Sequence, residues 1–216
     1  AHFQGPEHGD HPVESVTWYS AIAYANLLSL IRGLEPAYDF SDAQTREWTK
    51  AEDGSLQIRK AAGFGDVKIN APGGDIYLAE GFRLPTEAEM EYILREAGKA
   101  NGRLAFNEAE LKNYAWHDPN SEKQTHPVAE WKPLNVAGEF FYDLYGNVTE
   151  WVHDRSKITL LIGGENPQGP YEGDYRVLRG GSWDTWPQSF ASYTRTDDRA
   201  EEQRPTIGFR LVRTLK

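Results

Sequence analysis

Cysteine is absent from all 216 residues of the chain. Without a thiol the protein can form no disulfide, no thiolate-bound zinc or copper site and no cysteine nucleophile. A protein at the cell surface or in the periplasm avoids disulfide errors in this way, but many cytosolic proteins lack cysteine as well. Cysteine usage alone therefore leaves the compartment open.

Positive charge is also scarce. The 23 Lys and Arg residues are outnumbered by 33 Asp and Glu residues, which gives a formal net charge of −10 and an isoelectric point near 5.1. No run of Lys and Arg and no basic helix face offsets this balance. Because a protein of this sign repels a phosphate backbone, we expect no nucleic-acid partner.

Long apolar runs are missing too. No stretch of about 18 apolar residues occurs, so the sequence predicts no transmembrane segment. No signal-peptide pattern opens the chain, which begins at Ala1 rather than at an initiator methionine. Any targeting segment would lie outside this sequence, and we expect a cell-surface or periplasmic location on indirect grounds.

The composition is that of a folded domain rich in aromatic residues. With 39% hydrophobic residues, a chain of this length can bury a substantial core, and we expect one domain over residues 1–216. Seven tryptophans and eleven tyrosines suit either an irregular core or an exposed recognition surface. Composition does not separate these two uses.

Apolar spacing and capping signals predict two helices. The first lies within Val13 to Arg32, with Thr17 as N-cap and Gly33 as its end. Its predicted core-facing stripe consists of Val16, Tyr19, Ala23, Tyr24, Leu27, Leu28 and Ile31. The second begins at a capping box formed by Thr86 and Glu89 and is expected to reach Gly98.

Short β-prone pieces and turn residues occupy most of the remaining chain. Residues 41–80 read as a hairpin-bearing insertion with strand candidates at Leu56 to Arg59 and Val67 to Asn70. Near the C-terminus, Arg176 to Leu178 and Gly208 to Arg213 are predicted to be strands that flank an exposed excursion.

Four sequence motifs along the chain resemble those of a known family. They are His11 to Ala21, Gly81 to Tyr92 with its Arg-Leu-Pro-Thr-Glu-Ala-Glu run, Asp143 to Val152, and a C-terminal bracket made of Arg176 to Trp183 and Ile207 to Arg213. In this order they resemble the formylglycine-generating-enzyme and sulfatase-modifying-factor family. The resemblance implies an α+β protein with the C-type lectin fold, in which two helices pack on small antiparallel sheets among irregular loops. It also implies that residues 176–213 form the ligand-presenting C-terminal region.

The catalytic residues of that family are missing here. In catalytic members two cysteines lie just beyond the Gly-Gly-Ser-aromatic turn and bind copper. The matching positions in this chain are Thr185 and Phe190, and neither offers a soft thiolate for copper. No histidine pair has the spacing used by the related iron-dependent sulfoxide synthases, and no nucleophile elbow or phosphate loop occurs. We therefore expect a protein that is not an enzyme and requires no cofactor.

The resemblance also implies a calcium site. Asn147 and Glu150 follow Gly146 in a Gly-Asn-x-x-Glu-Trp turn, which often contributes to a calcium site in the family, and their side-chain oxygens suit this ion. In the alternative, Asn147 caps a turn and Glu150 pairs with an arginine. The sequence leaves both interpretations open.

The segment between the two halves of the C-terminal bracket, residues 184–206, has the composition of a recognition surface. Aromatic anchors there alternate with short polar side chains that adapt to a partner. The predicted ligand-binding residues are Asp184, Thr185, Trp186, Gln188, Ser189, Phe190, Tyr193, Thr194, Thr196, Asp197, Asp198, Arg204 and Thr206. The mixture fits a protein, peptide or glycan ligand and does not name one.

This segment also resembles the variable proteins of bacterial diversity-generating retroelements, which use the same scaffold and the same bracket. In those systems mutation at adenines converts Asn codons to codons for residues such as Asp, Thr, Ser and Tyr. No Asn occurs between Gly180 and Lys216, and neither Trp186 nor Gln188 can arise in this way. The reachable products in the segment include Asp184, Thr185, Ser189, Tyr193, Thr194, Thr196, Asp197 and Asp198. We expect a diversified binding protein. The rival interpretations are an oxidoreductase with a cysteine-independent metal site and a structural subunit of an envelope complex.

Overall fold

The structure is a computed structural model, and it describes residues 9–40, 48–50, 56–58, 67–96, 99, 103–156 and 166–215. Two α-helices occur among these residues, together with short strands and much irregular loop. The elements are α1 (Trp18–Ile31), α2 (Glu87–Leu94), β1 (Tyr38–Asp39), β2 (Trp48–Lys50), β3 (Leu56–Ile58), β4 (Lys68–Ile69), β5 (Leu134–Val136), β6 (Glu139–Phe141), β7 (Thr149–Arg155), β8 (Tyr175–Arg179), β9 (Arg195–Arg199) and β10 (Ile207–Phe209). The predicted α+β class is confirmed.

The main sheet has four strands in the order β10-β7-β8-β9. β10 runs parallel to β7, with Ile207 opposite Thr149, and the other neighbours are antiparallel. β9 is an edge strand of this sheet. Three antiparallel pairs complete the described sheets, namely β1 with β4, β2 with β3 and β5 with β6.

The residues group into two compact units. One comprises Ala1–Ala21 and Leu84–Arg210, and the other comprises Ile22–Arg83 and Leu211–Lys216. The first contains the main sheet, α2 and the C-terminal bracket as far as Arg210. Its apolar core includes Met90 and Leu94 of α2 and Val152 and Val177 of the sheet, all with no exposed surface. Each such side chain contributes roughly 1.5–3 kcal/mol to folding.

The start and end of α1 are as predicted. Thr17 Oγ1 accepts a hydrogen bond from the Ser20 amide at 3.0 Å, which is the geometry of an N-cap. Gly33 follows the helix with a φ of +69°, a left-handed conformation that ends helices readily.

The predicted core face of α1 is wrong. Of the predicted stripe only Ala23 is buried, and Ile31 is 69% exposed. The buried face instead carries Trp18, Ala21, Ile22, Ala25, Asn26 and Ser29. The helix has no charged residue to mark its solvent side. The polar members of the buried face are satisfied locally: the Asn26 amide exchanges two hydrogen bonds with the Tyr38 main chain, and Ser29 Oγ donates to the Ala25 carbonyl.

The capping box of α2 is confirmed. Thr86 Oγ1 accepts from the Glu89 amide at 3.2 Å, and the Glu89 carboxylate accepts from the Thr86 amide at 2.8 Å. The helix ends at Leu94, before the predicted limit, and Gly98 lies outside the described residues.

The strand predictions are confirmed in part. β3, β4, β8 and β10 coincide with the four predicted strand pieces to within a few residues. The segment predicted as an exposed excursion contains β9, a strand with no apolar residue, which sequence alternation could not reveal. Among the residues that the structure describes, no helix is long and apolar enough to cross a bilayer.

Candidate ligand-recognition surface

Trp183 anchors the start of the bracketed segment. Its amide donates to the Asn147 carbonyl at 2.9 Å, and its carbonyl accepts from Ser121 Oγ at 2.7 Å. Its indole Nε1 donates to the Pro205 carbonyl at 3.1 Å, near the other end of the segment. The ends of residues 184–206 are thus joined through one half-buried side chain.

The interior of the segment is also held by its main chain. The Asp118 amide donates to the Thr185 carbonyl at 3.1 Å, and the Arg103 guanidinium donates to the Gln188 carbonyl. The Ser192 amide donates to the Arg103 carbonyl at 2.7 Å. These bonds do not involve the side chains of the segment, so they constrain its path without specifying its residues.

Arg179, at the end of β8, extends this support. Its guanidinium is buried and donates to the carbonyls of Ser192 at 2.8 Å and Thr194 at 2.6 Å. It also lies 3.4 Å from a Glu91 carboxylate oxygen and 4.0 Å from one of Glu87.

The predicted ligand-binding residues differ widely in exposure. Two aromatic rings are exposed, Trp186 at 61% and Tyr193 at 56%. The other exposed members are Asp184, Gln188, Ser189, Thr196, Asp197 and Arg204, and the half-buried members are Thr185, Thr194, Asp198 and Thr206. Exposure therefore agrees with a surface role for these twelve residues, but their part in binding remains a prediction.

Phe190 is the exception, and its assignment to the surface is corrected. Its side chain is 2% exposed and lies in the core, with its ring centroid 6.3 Å from those of Tyr145 and His117. Gly181, at a φ of +72°, faces the same ring, and a Cβ there would lie 2.7 Å from Phe190 Cε1. The second glycine of the bracket therefore makes room for the phenyl ring.

Several polar residues of the segment already have partners within the protein. The Arg195 guanidinium pairs with Glu87 at 2.8 Å, and the Arg204 guanidinium pairs with Asp198 at 2.6 Å. Asp197 accepts from Ser156 Oγ. Asp184 Oδ1 accepts from Ser182 Oγ at 2.6 Å, so all three predicted binding residues with carboxylates have contacts within the protein.

The positions of the missing catalytic cysteines do not fit copper. Thr185 Oγ1 accepts from the Ser182 amide at 2.9 Å, and Phe190 fills the second position with a buried phenyl ring. A hard hydroxyl and a hydrocarbon ring are not ligands for this soft ion.

The calcium residues also have protein partners. Asn147 Oδ1 accepts from the His126 amide at 3.1 Å, and Asn147 Nδ2 donates to the His126 carbonyl at 3.0 Å. Both carboxylate oxygens of Glu150 accept from the Arg210 guanidinium, at 2.5 and 2.6 Å. The Arg210 guanidinium occupies the place beside Glu150 that calcium would need. This geometry favours the alternative in which Asn147 caps a turn and Glu150 pairs with an arginine, and it does not fit calcium.

Sequence reasoning missed the buried charges beneath the segment. Asp154 is 1% exposed, and one of its carboxylate oxygens accepts from the Glu87 amide at 2.7 Å. Burial raises the pKa of Asp154 to about 7, although the bond from the Glu87 amide acts in the opposite direction. One feature of the sequence pointed to these buried charges. The capping box uses Thr86 and Glu89, so the second carboxylate of the Thr-Glu-Ala-Glu motif, Glu87, had no role in it.

The fold, the C-terminal bracket and a match between this sequence and a protein-family model together identify the family. The model of the sulfatase-modifying factor enzyme 1-like domain matches residues 1–215. The chain belongs to this family. The solved structure of Treponema denticola variable protein 1 is 34% identical to it and superposes with a TM-score of 0.78, over 98% of this chain and 76% of that one. The formylglycine-enzyme type of C-type lectin fold is thereby confirmed.

Relatives of this family domain carry different names. Chaperone protein LppX of Paenibacillus barcinonensis is 30% identical over 198 residues, which cover 84% of this chain and 61% of that protein. The formylglycine-generating enzyme of Streptomyces coelicolor is 31% identical over 150 residues, which cover 61% of this chain and 46% of the enzyme. The chain therefore spans about half to three fifths of the length of these two relatives.

Proposed function

We propose that this member of the family is a nonenzymatic ligand-binding protein that displays residues 184–206 on a rigid C-type lectin scaffold. The observation that carries the proposal is the exposure of Trp186 and Tyr193 on a segment whose main chain is held by the scaffold. Exposed aromatic rings on rigid supports dominate many recognition surfaces, because they bury a large area with little loss of side-chain entropy.

We further propose that a retroelement diversifies this surface. The proposal draws support from the likeness to Treponema denticola variable protein 1 and from the absence of Asn after Gly180. Carbonyl and amide groups form many of the bonds that hold residues 185–194, and all residues except proline possess both groups. Many side chains could therefore change there without loss of the fold.

The geometry of the positions that match the family's catalytic cysteines supports the absence of enzymatic activity. Phe190 fills one of them with a core side chain, and Thr185 is engaged with the Ser182 amide. The rival proposal, an oxidoreductase that uses another metal site, rests on the likeness to formylglycine-generating enzymes. Metal analysis of the purified protein with a cysteine-peptide oxidation assay tests this rival, because a bound redox metal with turnover would support it and overturn our proposal.

The ligand is a protein, peptide or glycan at the cell surface or in the periplasm. We would probe a glycan array and a displayed peptide library with the intact protein and with Trp186→Ala/Tyr193→Ala. A matched control is Glu201→Ala/Gln203→Ala, which alters two exposed residues of the same segment that are not predicted to bind.

We expect hits of the intact protein to be lost in the aromatic variant and kept in the control. Hits that survive in the aromatic variant would contradict a surface centred on Trp186 and Tyr193.

A further inference from the structure

Two charged side chains lie almost fully buried beneath the recognition segment. The side chain of Arg179 is 0% exposed and that of Glu87 is 4% exposed. Burial of an unpaired charge is costly, so groups of this kind persist only when charge and hydrogen bonds compensate them. Their partners therefore indicate what the buried pair holds in place.

Arg179 binds the main-chain carbonyls of the two residues that flank Tyr193. The guanidinium donates to the carbonyl of Ser192 at 2.8 Å and to that of Thr194 at 2.6 Å. Tyr193 lies between them, in the turn closed by the bond from the Thr194 amide to the Ala191 carbonyl at 3.0 Å. The planar, fork-shaped guanidinium thus constrains the peptide groups on both sides of an exposed aromatic residue.

Glu87 connects this turn to α2. Its carboxylate accepts from Arg195 Nε at 2.8 Å and Nη2 at 3.3 Å, and it lies 4.0 Å from Arg179 Nη1. The two arginines would repel one another without a shared anion. Because the Glu87 amide is itself bound by Asp154, the carboxylate projects from a firmly held helix start.

We propose that Glu87 is a positioning residue for the recognition surface. Through Arg179 and Arg195 it sets the main-chain conformation on both sides of Tyr193, and it does so from beneath, without contacting the ligand. The ligand part of this inference rests on the proposed function. The clamp itself is independent of any ligand.

Hydrogen exchange measured by NMR on the intact protein, without ligand, tests the clamp. In Glu87→Gln we expect the amides of Ser192 and Thr194 to exchange at least about tenfold faster than in the parent protein, because their local opening becomes easier. The amides of Trp183 and Asp118, at the other side of the segment, should change less than about twofold.

Glu91→Gln is the matched control. Glu91 contacts the same arginine at 3.4 Å but is 37% exposed, so we expect less than about a twofold change at Ser192 and Thr194. Glu87→Asp, which keeps the charge, should recover part of the protection. A purely structural contribution of Glu87 would accelerate all four amides equally, and that result, or unchanged exchange at Ser192 and Thr194, would overturn the proposal.

If Glu87→Gln does not fold, Arg195→Gln takes its place. The Arg195 side chain is 34% exposed, so its replacement leaves a smaller defect while it removes the same pair. We expect the same local acceleration at Ser192 and Thr194, and its absence would again overturn the clamp. The hydrogen-exchange experiment uses no ligand, and the glycan-array and peptide-library experiments do not depend on the clamp. Each of the two proposals can therefore fail without the other.

Discussion

The bracketed segment consists of two halves that are held in different ways. The apical half, residues 184–194, contains a 3-10 turn at Pro187–Ser189 and is bound mainly through its amides and carbonyls. The strand half, residues 195–206, contains edge strand β9, which pairs with β8 through its main chain, and it also uses side-chain pairs such as Arg195 with Glu87. Main-chain bonds therefore constrain both halves without specifying residues. The buried Phe190 of the apical half and the ion pairs of the strand half are the side chains on which the structure depends.

The exposure of the side chains in the two halves indicates which predicted binding residues should contribute most to affinity. Trp186 and Tyr193, the two most exposed aromatic residues of the segment, both belong to the apical half. The polar side chains of both halves have partners within the protein, namely Asp184, Thr185, Thr194, Asp197, Asp198 and Arg204. A ligand that recruits these polar side chains must compete with their present contacts, so we expect the two exposed aromatic rings of the apical half to contribute most to affinity.

The largest expected effect concerns the anchor of the strand half. Glu87→Ala leaves buried Arg179 and half-exposed Arg195 without their shared anion, and we expect the free energy of unfolding to fall by about 3–5 kcal/mol. Urea unfolding monitored by circular dichroism measures the change. A loss below about 1 kcal/mol would mean that the strand half does not depend on this pair.

The next effect is a pH dependence at Asp154, which holds the Glu87 amide. Its pKa is raised from 3.8 in the unfolded chain to about 7 in the folded protein. The stabilisation by the protonated group is therefore complete below the lower value and is lost as pH rises through about 7. With about 1.4 kcal/mol for each pH unit, this one group contributes a loss of at most about 4 kcal/mol.

Asp154→Asn isolates that contribution. Relative to the parent protein, we expect the variant to be more stable at pH 8 than at pH 5 by about 2–4 kcal/mol, since the amide carries no charge to bury. Urea unfolding at the two pH values gives the difference. Equal differences at both values would contradict a carboxyl group that titrates near neutrality.

A smaller effect is expected at the surface pair of the strand half. Asp198→Asn weakens the contact with Arg204, whose side chain is 57% exposed, and should lower the free energy of unfolding by no more than about 1 kcal/mol. Thermal unfolding at low and high salt checks this, because screening should shrink the difference. A loss of stability that does not change with salt would mean that the contact between Asp198 and Arg204 behaves as a buried ion pair.

The smallest effect should come from the apical half. Trp186→Ala and Tyr193→Ala remove exposed rings and leave the main-chain bonds in place, so each should change the free energy of unfolding by less than about 0.5 kcal/mol. Urea unfolding again provides the number. A loss above 2 kcal/mol, the range typical of core truncations, would place these rings in the fold rather than on the recognition surface.

Local signals predicted the helices well and their environment poorly. The capping box at Thr86 and the N-cap at Thr17 depend on neighbouring residues, and both are observed. The buried face of α1 depends on tertiary contacts, and an uncharged helix gave no pattern from which to infer it. β9 likewise forms because β8 is available as a partner, which no local alternation in Thr-Asp-Asp could indicate.

The candidate site shows the same division. The bracket and its missing cysteines were visible in the sequence, and so was the aromatic content of the segment. Phe190 could not be assigned to the core, because only the fold brings Gly181 and Tyr145 against its ring. The buried anchors Arg179 and Glu87 are separated by 92 positions in the sequence (179 − 87), and spacing alone does not pair them.

Sequencing of this locus and its flanks in many related isolates tests the central claim most directly. We predict a near-copy of the codons for residues 180–213 that differs at adenines, with substitutions confined to residues 184–206 and concentrated at the exposed positions of the apical half. Arg179, Phe190 and Glu87 should stay constant. A single invariant locus without a template copy, or substitutions spread evenly over exposed and buried positions, would contradict a diversified recognition surface.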